Sequence, residues 1–162
     1  MQKKPWDSSL ELLINFEINN PGQGGYRRPY VAVWIEDKEG SPVRTLELWF
    51  QQGGRGMRWL RDLRAWVRGE SLRKLVDGGD LAATSSSPTR QPGKYSVAWD
   101  GKDDKKKPVA QGEYFICVEA AREHGTYQLI RKSFPLANKP LKADLGGNIE
   151  MKSADIELRK KR

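Results

Sequence analysis

The chain has 162 residues but a single cysteine and a single histidine, and these two scarcities exclude more chemistry than any motif in it supplies. Cys117 alone rules out an internal disulfide, and with His124 the only imidazole, a zinc site built from several Cys or His ligands is excluded. No Cys-x-x-Cys-His haem attachment motif and no Gly-x-Ser-x-Gly nucleophile elbow occurs, so neither c-type haem nor Ser-His-Asp catalysis has its usual local signature. No stretch approaches the roughly 20 apolar residues of a membrane span. The opening "MQKKPWDSSLELL" has a basic start without the apolar region that follows in a secretory leader, so the chain is either cytoplasmic or a form whose leader is gone.

What is present points to strands. Six Trp, five Tyr and four Phe with 37% apolar residues imply a core of large rings and β-branched residues rather than of many leucines. A chain of this length fits one domain. Alternating segments at 10–19, 30–37, 43–50, 94–100, 113–121, 127–134 and 148–158 read as strands, separated by turn-rich stretches such as "NNPGQGGYRRP" and "GKDDKKKPVAQG". Seven short strands without βαβ alternation predict an all-β, Ig-like antiparallel β-sandwich. Its boundaries are read as a flexible N-terminal segment 1–9, a sandwich domain 10–158 and a basic tail 159–162.

One segment departs from the period of two. In "RWLRDLRAWVR" (58–68), Trp59, Leu60, Leu63, Trp66 and Val67 fall within about a third of a turn at helical spacing, with Arg58, Arg61, Arg64 and Arg68 opposite. This predicts an inserted amphipathic helix whose Trp side closes one open side or end of the sandwich and whose Arg side faces outward. The net charge of +8 follows the same division: residues 55–74 contribute +5, the tail +4, Lys3 and Lys4 +2, and the remainder is −3. That uneven pattern does not suit a nucleic-acid binder. It suits a monomeric module whose Arg58, Arg61, Arg64 and Arg68 meet an acidic protein or an anionic membrane surface, and it equally suits a solvated basic face.

In "YSVAWDGKDDKKKPVAQGEYFICVEA", Asp100 and Asp103 are placed for side-chain-to-backbone turn bonds and Gly101 for a positive φ. The carboxylates of Asp100, Asp103 and Asp104 lack calcium-loop spacing and stand beside three lysines, so no metal is expected. Trp99, Asp100, Gly101, Asp103, Val109, Gly112 and Tyr114 make this hairpin resemble the one in Ig-like modules of flagellar hook-capping proteins. Lys106 stands where those modules usually have glycine.

Taken in order, "RRPYVAVWIEDKEGSPVRTLELW", "RWLRDLRAWVRG", "PGKYSVAWDGKDD" and "GEYFICVEAAREHGTYQLIRKSF" resemble a family of predicted periplasmic proteins of unknown function, over about residues 10 to 158. Members are often encoded beside FAD:protein FMN transferases and PepSY-type membrane proteins. The resemblance implies an extracytoplasmic protein whose leader or anchor is absent from this chain, working near flavin-based electron transfer at a membrane, iron reduction included. It supplies no established activity. The family commonly carries a stretch similar to a covalent FMN acceptor before the "PG-Y" strand; here it is Ser86-Ser87-Pro88-Thr89-Arg90. Thr89 keeps the hydroxyl, Ser87 and Pro88 replace the Gly-Ala pair, and Ala83 stands where the acceptor has Asp.

The resulting expectation is a non-enzymatic binding or accessory module without a cofactor, with a PepSY-type membrane protein among its possible partners. The alternative is a covalent FMN carrier using Thr89. A second alternative is a glycan- or haem-binding sandwich using His124 or exposed aromatics such as Tyr26, Tyr30 and Trp49. Cys117, between Ile116 and Val118, reads as a small core residue.

Overall fold

The computed structural model describes residues 6, 9–19, 29–50, 60–77, 86–90, 92–122, 127–137, 139–147 and 151–160. In chain order these form β1 (Leu10–Ile18), β2 (Tyr30–Asp37), β3 (Pro42–Trp49), α1 (Arg64–Asp77), β4 (Ser86–Ser87), β5 (Gly93–Trp99), β6 (Gly112–Ala121), β7 (Tyr127–Leu136), β8 (Leu141–Gly146) and β9 (Met151–Lys160). Two sheets result, a four-stranded one ordered β5-β1-β9-β8 and a five-stranded one ordered β4-β3-β2-β6-β7. The expected all-β sandwich is what the chain forms. Among the described residues the strand pairs are antiparallel except the short β3–β4 pair, which is parallel.

Strand β1 shows why these residues pair as they do. Leu10, Leu12, Ile14, Phe16 and Ile18 are buried while the residues between them are half-exposed, so one face enters the core. That core lies between the sheets. It joins the β1 set and Met151, Ala154, Ile156 and Leu158 to Val31, Val33, Ile35, Ile116 and Val118 of the other sheet. Each fully buried Val, Leu, Ile, Phe or Met side chain among these stabilises the fold by about 1.5–3 kcal/mol.

Strand β2 is buried on both faces from Tyr30 to Glu36. Its odd-numbered residues point into the sandwich, while Tyr30, Ala32 and Trp34 join a second apolar cluster with Leu60, Leu63 and Trp66. Helix α1 therefore lies on the outer face of the five-stranded sheet and makes a third layer, and this is the open side that the sequence leads one to expect the helix to close.

The helix itself is displaced from its expected position. It runs from Arg64 to Asp77 instead of 58–68, preceded by a short 3₁₀ turn at residues 60–62. Gly69, where the helical pattern breaks off, lies inside it: a Cβ there would stand 2.9 Å from Pro42 Cγ. A side chain at that position would hold α1 off the start of β3.

Two observations lie at the expected boundaries. Trp6, within the supposed flexible segment 1–9, is 6% exposed and stacks on Trp99 with ring centroids 6.0 Å apart. Its indole N–H donates to the Ala137 carbonyl at 3.2 Å and its amide to the Val109 carbonyl at 3.1 Å. At the other end β9 continues through Lys160, where Arg159 Nε meets Glu11 Oε1 at 3.4 Å, so the first half of the basic tail belongs to the sheet.

The 100–108 turn follows the expected chemistry. Asp100 Oδ1 accepts from the Lys102 amide, and Asp103 Oδ1 accepts from the amides of Lys105 and Lys107. Lys106 takes a left-handed φ of 66°, the conformation for which glycine is the usual residue. Asp104 docks the turn onto β3: its amide donates to the Val43 carbonyl and its Oδ1 accepts from the Thr45 amide.

Candidate docking surface

Helix α1 has no acidic residue in its first turn, and its cap comes from the sheet. Glu119 of β6 is fully buried. Its Oε1 accepts from the Trp66 amide at 2.9 Å and its Oε2 from the Ala65 amide at 2.7 Å. The Tyr127 hydroxyl of β7 donates to Oε2 as well. A buried carboxylate thus satisfies two of the amide donors that every helix start leaves without partners, at the end where the helix dipole favours negative charge. The Arg64 guanidinium carbon stands 4.6 Å over the Tyr127 ring and completes the arrangement.

Burial pushes the Glu119 carboxyl above its ordinary range, against the hydrogen bonds from Tyr127, Trp66 and Ala65 that pull it down. Burial, with the Glu119 hydrogen bond, also raises the Tyr127 phenol. Between the unfolded pKa and the raised native value, the native state therefore keeps a Glu119 proton that the unfolded chain has released. The stability this contributes is complete below the unfolded pKa and is lost as pH rises through the raised native value. Glu119→Gln removes that titration and leaves one helix amide facing an NH₂ group. Denaturant unfolding from about pH 4 to 8 is expected to show a Glu119→Gln deficit that is largest in acid and shrinks as pH rises. A deficit constant across that range would mean that the carboxyl titrates alike in both states.

The outward side of the helix region is basic. Arg61, Arg64 and Arg68 are exposed, and Arg61 and Arg68 make no hydrogen bond or ion pair among the described residues. Arg58 and Trp59 lie outside the described residues. Arg73 belongs elsewhere: it is ion-paired to buried Glu70 at 2.5 Å, one helical turn away. The Trp side is as expected at Leu60, Leu63 and Trp66, which are 8%, 0% and 4% exposed, and the Trp66 indole N–H donates to Thr45 Oγ1 at 3.0 Å.

The remaining candidates do not gather into one site. Tyr30 is 8% and Trp49 1% exposed, so the exposed aromatics on which a glycan- or haem-binding reading rests are not available at these two positions. The reason is packing: Tyr30 lies against Phe50 in the cluster that includes α1, and Trp49 lies between Phe16 and Tyr95 in the sandwich core. Tyr26 and His124 lie outside the described residues. Cys117 is fully buried on the face of β6 toward the helix cluster, where burial raises its thiol pKa, as suits a packing residue.

The segment around Thr89 is more constrained than a flexible connection. Ser86 and Ser87 pair in parallel with Leu48 and Trp49, and the Phe50 amide donates to the Ser87 carbonyl at 3.0 Å. The Arg90 guanidinium carbon stands 4.7 Å over the Trp49 ring and 5.6 Å over that of Tyr95. Thr89 is half-buried between these two anchors.

The groups that position the surface were missed in the sequence, and for Glu119 a signal existed. In "EYFICVEAA" both alternating sets are apolar, the mark of a strand covered on two faces, and Glu119 is the carboxylate placed in phase with Phe115, Cys117 and Ala121. An acidic residue in that register needs buried donors.

Fold and surface together define a two-sheet β-sandwich carrying a helix on one sheet, with a basic side turned outward and a buried carboxylate fixing it. The chain belongs to the family of predicted periplasmic proteins designated DUF2271, whose model matches residues 11–153. No curated protein and no solved structure matches it. Among the described residues no helix is long and apolar enough to cross a membrane.

Proposed function

We propose that this protein is an extracytoplasmic accessory module without catalysis of its own, which docks an anionic partner on the basic side of α1 beside a flavin-dependent membrane redox system. The observation behind this is the mounting of Arg61, Arg64 and Arg68. They are exposed on α1 and on the 3₁₀ turn before it, a stretch anchored by Leu60, Leu63, Trp66 and the Glu119 cap, so their fields add. The setting follows from the family's predicted periplasmic location and from the resemblance set out above.

Titration of the purified chain against a purified PepSY-type membrane protein in detergent, and against phosphatidylglycerol vesicles, tests the reading. Affinity is expected to fall about tenfold or more between ~0.05 and ~0.5 M salt. Arg61→Glu with Arg68→Glu is expected to abolish binding with the melting temperature unchanged. Salt-insensitive binding that survives the double reversal would place the contact elsewhere.

The covalent FMN carrier makes the opposite forecast at Thr89. The pinned Ser87 and Arg90 on either side support an unmodified Thr89, since a transferase needs its acceptor peptide free to enter the active site. Co-expression with an FAD:protein FMN transferase is expected to leave the intact mass unchanged. A flavin adduct that disappears in Thr89→Ala would replace the accessory module with the carrier.

A further inference from the structure

Helix α1 covers only part of the outer sheet face. At its edge a cleft of about 350 Å³ opens, lined among others by Trp34, Glu36, Arg68, Gly69, Leu129 and Arg131. The floor is the Trp34 indole, 2% exposed, whose N–H donates to Glu36 Oε2 at 2.9 Å. The other oxygen of that carboxylate accepts from Arg131 Nε at 3.0 Å, and the Arg131 guanidinium carbon stands 3.7 Å over the Phe115 ring. Arg131 is thus held at Nε and stacked on one face, which orients the fork of its two terminal nitrogens before any ligand arrives.

Arg68 faces the same cleft from the helix. Two guanidinium groups against one carboxylate leave a single net positive charge, which matches a carboxylate better than a doubly charged phosphate. Beside them Leu129 is 39% exposed, the large apolar side chain that the described residues leave open to solvent. Gly69 on the helix side adds no side chain to narrow the entrance. Strand β7, which carries Leu129 and Arg131, ends the order β4-β3-β2-β6-β7, so a chain entering the cleft leaves past the sheet edge without meeting another strand of that sheet.

We propose that this cleft docks a short acidic peptide segment of a partner protein, with one carboxylate between Arg68 and Arg131 and the neighbouring apolar side chain against Leu129. This rests on the reading of the basic side of α1 as the docking face, and extends it to residues of β2 and β7. The site is concave and holds one acidic and one apolar group side by side, whereas a bilayer surface requires a broad convex or planar contact.

The probe is a fluorescein-labelled peptide of alternating glutamate and leucine, compared by fluorescence anisotropy with its lysine-leucine counterpart and with phosphatidylglycerol vesicles as competitor. The whole chain is expected to bind the first peptide and not the second. Leu129→Glu sets a carboxylate in the cleft at an already exposed position and is expected to weaken binding at least about tenfold with the melting temperature unchanged. Arg131→Gln is expected to do the same. Because it leaves Glu36 without its cation and can unsettle the fold, Leu129→Glu is the deciding variant. Peptide binding untouched by Leu129→Glu overturns the cleft; if the Arg61→Glu, Arg68→Glu chain has then lost the peptide, the docking face stands without it. Binding to vesicles but not to peptide overturns the peptide in favour of a membrane, and failure of both overturns the docking face as well.

Discussion

Replacing Gly101 by alanine is expected to cost about 4–5 kcal/mol, from a left-handed backbone and a displaced ring together. Gly101 has a φ of 79°, and a Cβ there would fall 2.0 Å from Trp6 Cε3 and 2.3 Å from Cζ3. No rotation of the new methyl relieves that overlap, so the Trp6 ring must leave the face of Trp99. Its hydrogen bond to the Ala137 carbonyl would then be lost as well. The two contributions separate in a double-mutant cycle. In a Trp6→Ala background Gly101→Ala should cost only the backbone part, about 1–2 kcal/mol, giving a coupling of about 3 kcal/mol. Additive costs in chemical denaturation would mean that the ring does not rest on Gly101.

Trp66→Ala is expected to cost about 3–5 kcal/mol, as for other large buried rings. Trp66 joins the helix to β2, β3 and β6 through its cluster with Trp34, Leu48 and Cys117, and its indole N–H to buried Thr45. Truncation leaves both a void and a hydroxyl without its donor. Arg61→Ala, on the exposed side, is expected to stay within about 0.5 kcal/mol. Since a domain of this kind is stable by only about 5–15 kcal/mol, the contrast is readily measured by urea unfolding. Equal small effects at both positions would mean that the helix is not docked on the sheet.

The extent to which these features were legible depends on how local their causes are. Strands β1, β2, β3, β5 and β6 lie within one residue of their alternating patterns because each sets its own register of buried residues. β9 runs two residues beyond its expected end, carried on by pairing with β1 at Glu11 and Leu10. β8 was missed: "LKADLG" is short, and its Leu141, Ala143 and Leu145 are only half-buried at a sheet edge, which leaves little apolar contrast. β4 is two residues of serine held by backbone pairing alone and has no sequence signature.

The helix illustrates the non-local case. Trp59, Leu60, Leu63 and Trp66 share a period that begins at Arg58, yet α1 starts at Arg64 because the carboxylate that caps it comes from Glu119, over fifty positions along the chain. Inside α1, Gly69 weakens a local helix by about 1 kcal/mol, but its missing side chain is what admits Pro42. The basic side could be seen in the arginine spacing. Arg131, Glu36 and Leu129 could not, because β2 and β7 meet the helix only through the sheet order.

The pairing of β1 with β9, from Leu10↔Lys160 to Ile18↔Met151, bears on the order in which the chain can fold. A chain that emerges N-terminus first presents β1 well before β9 and cannot give it this central partner until residue 160 has followed. Until then β1 lacks one neighbour, the four-stranded sheet is incomplete and one wall of the sandwich core is open. Long-range closure of this kind slows folding. The order of strands therefore makes β9 the strand whose arrival completes the four-stranded sheet and closes that wall of the core.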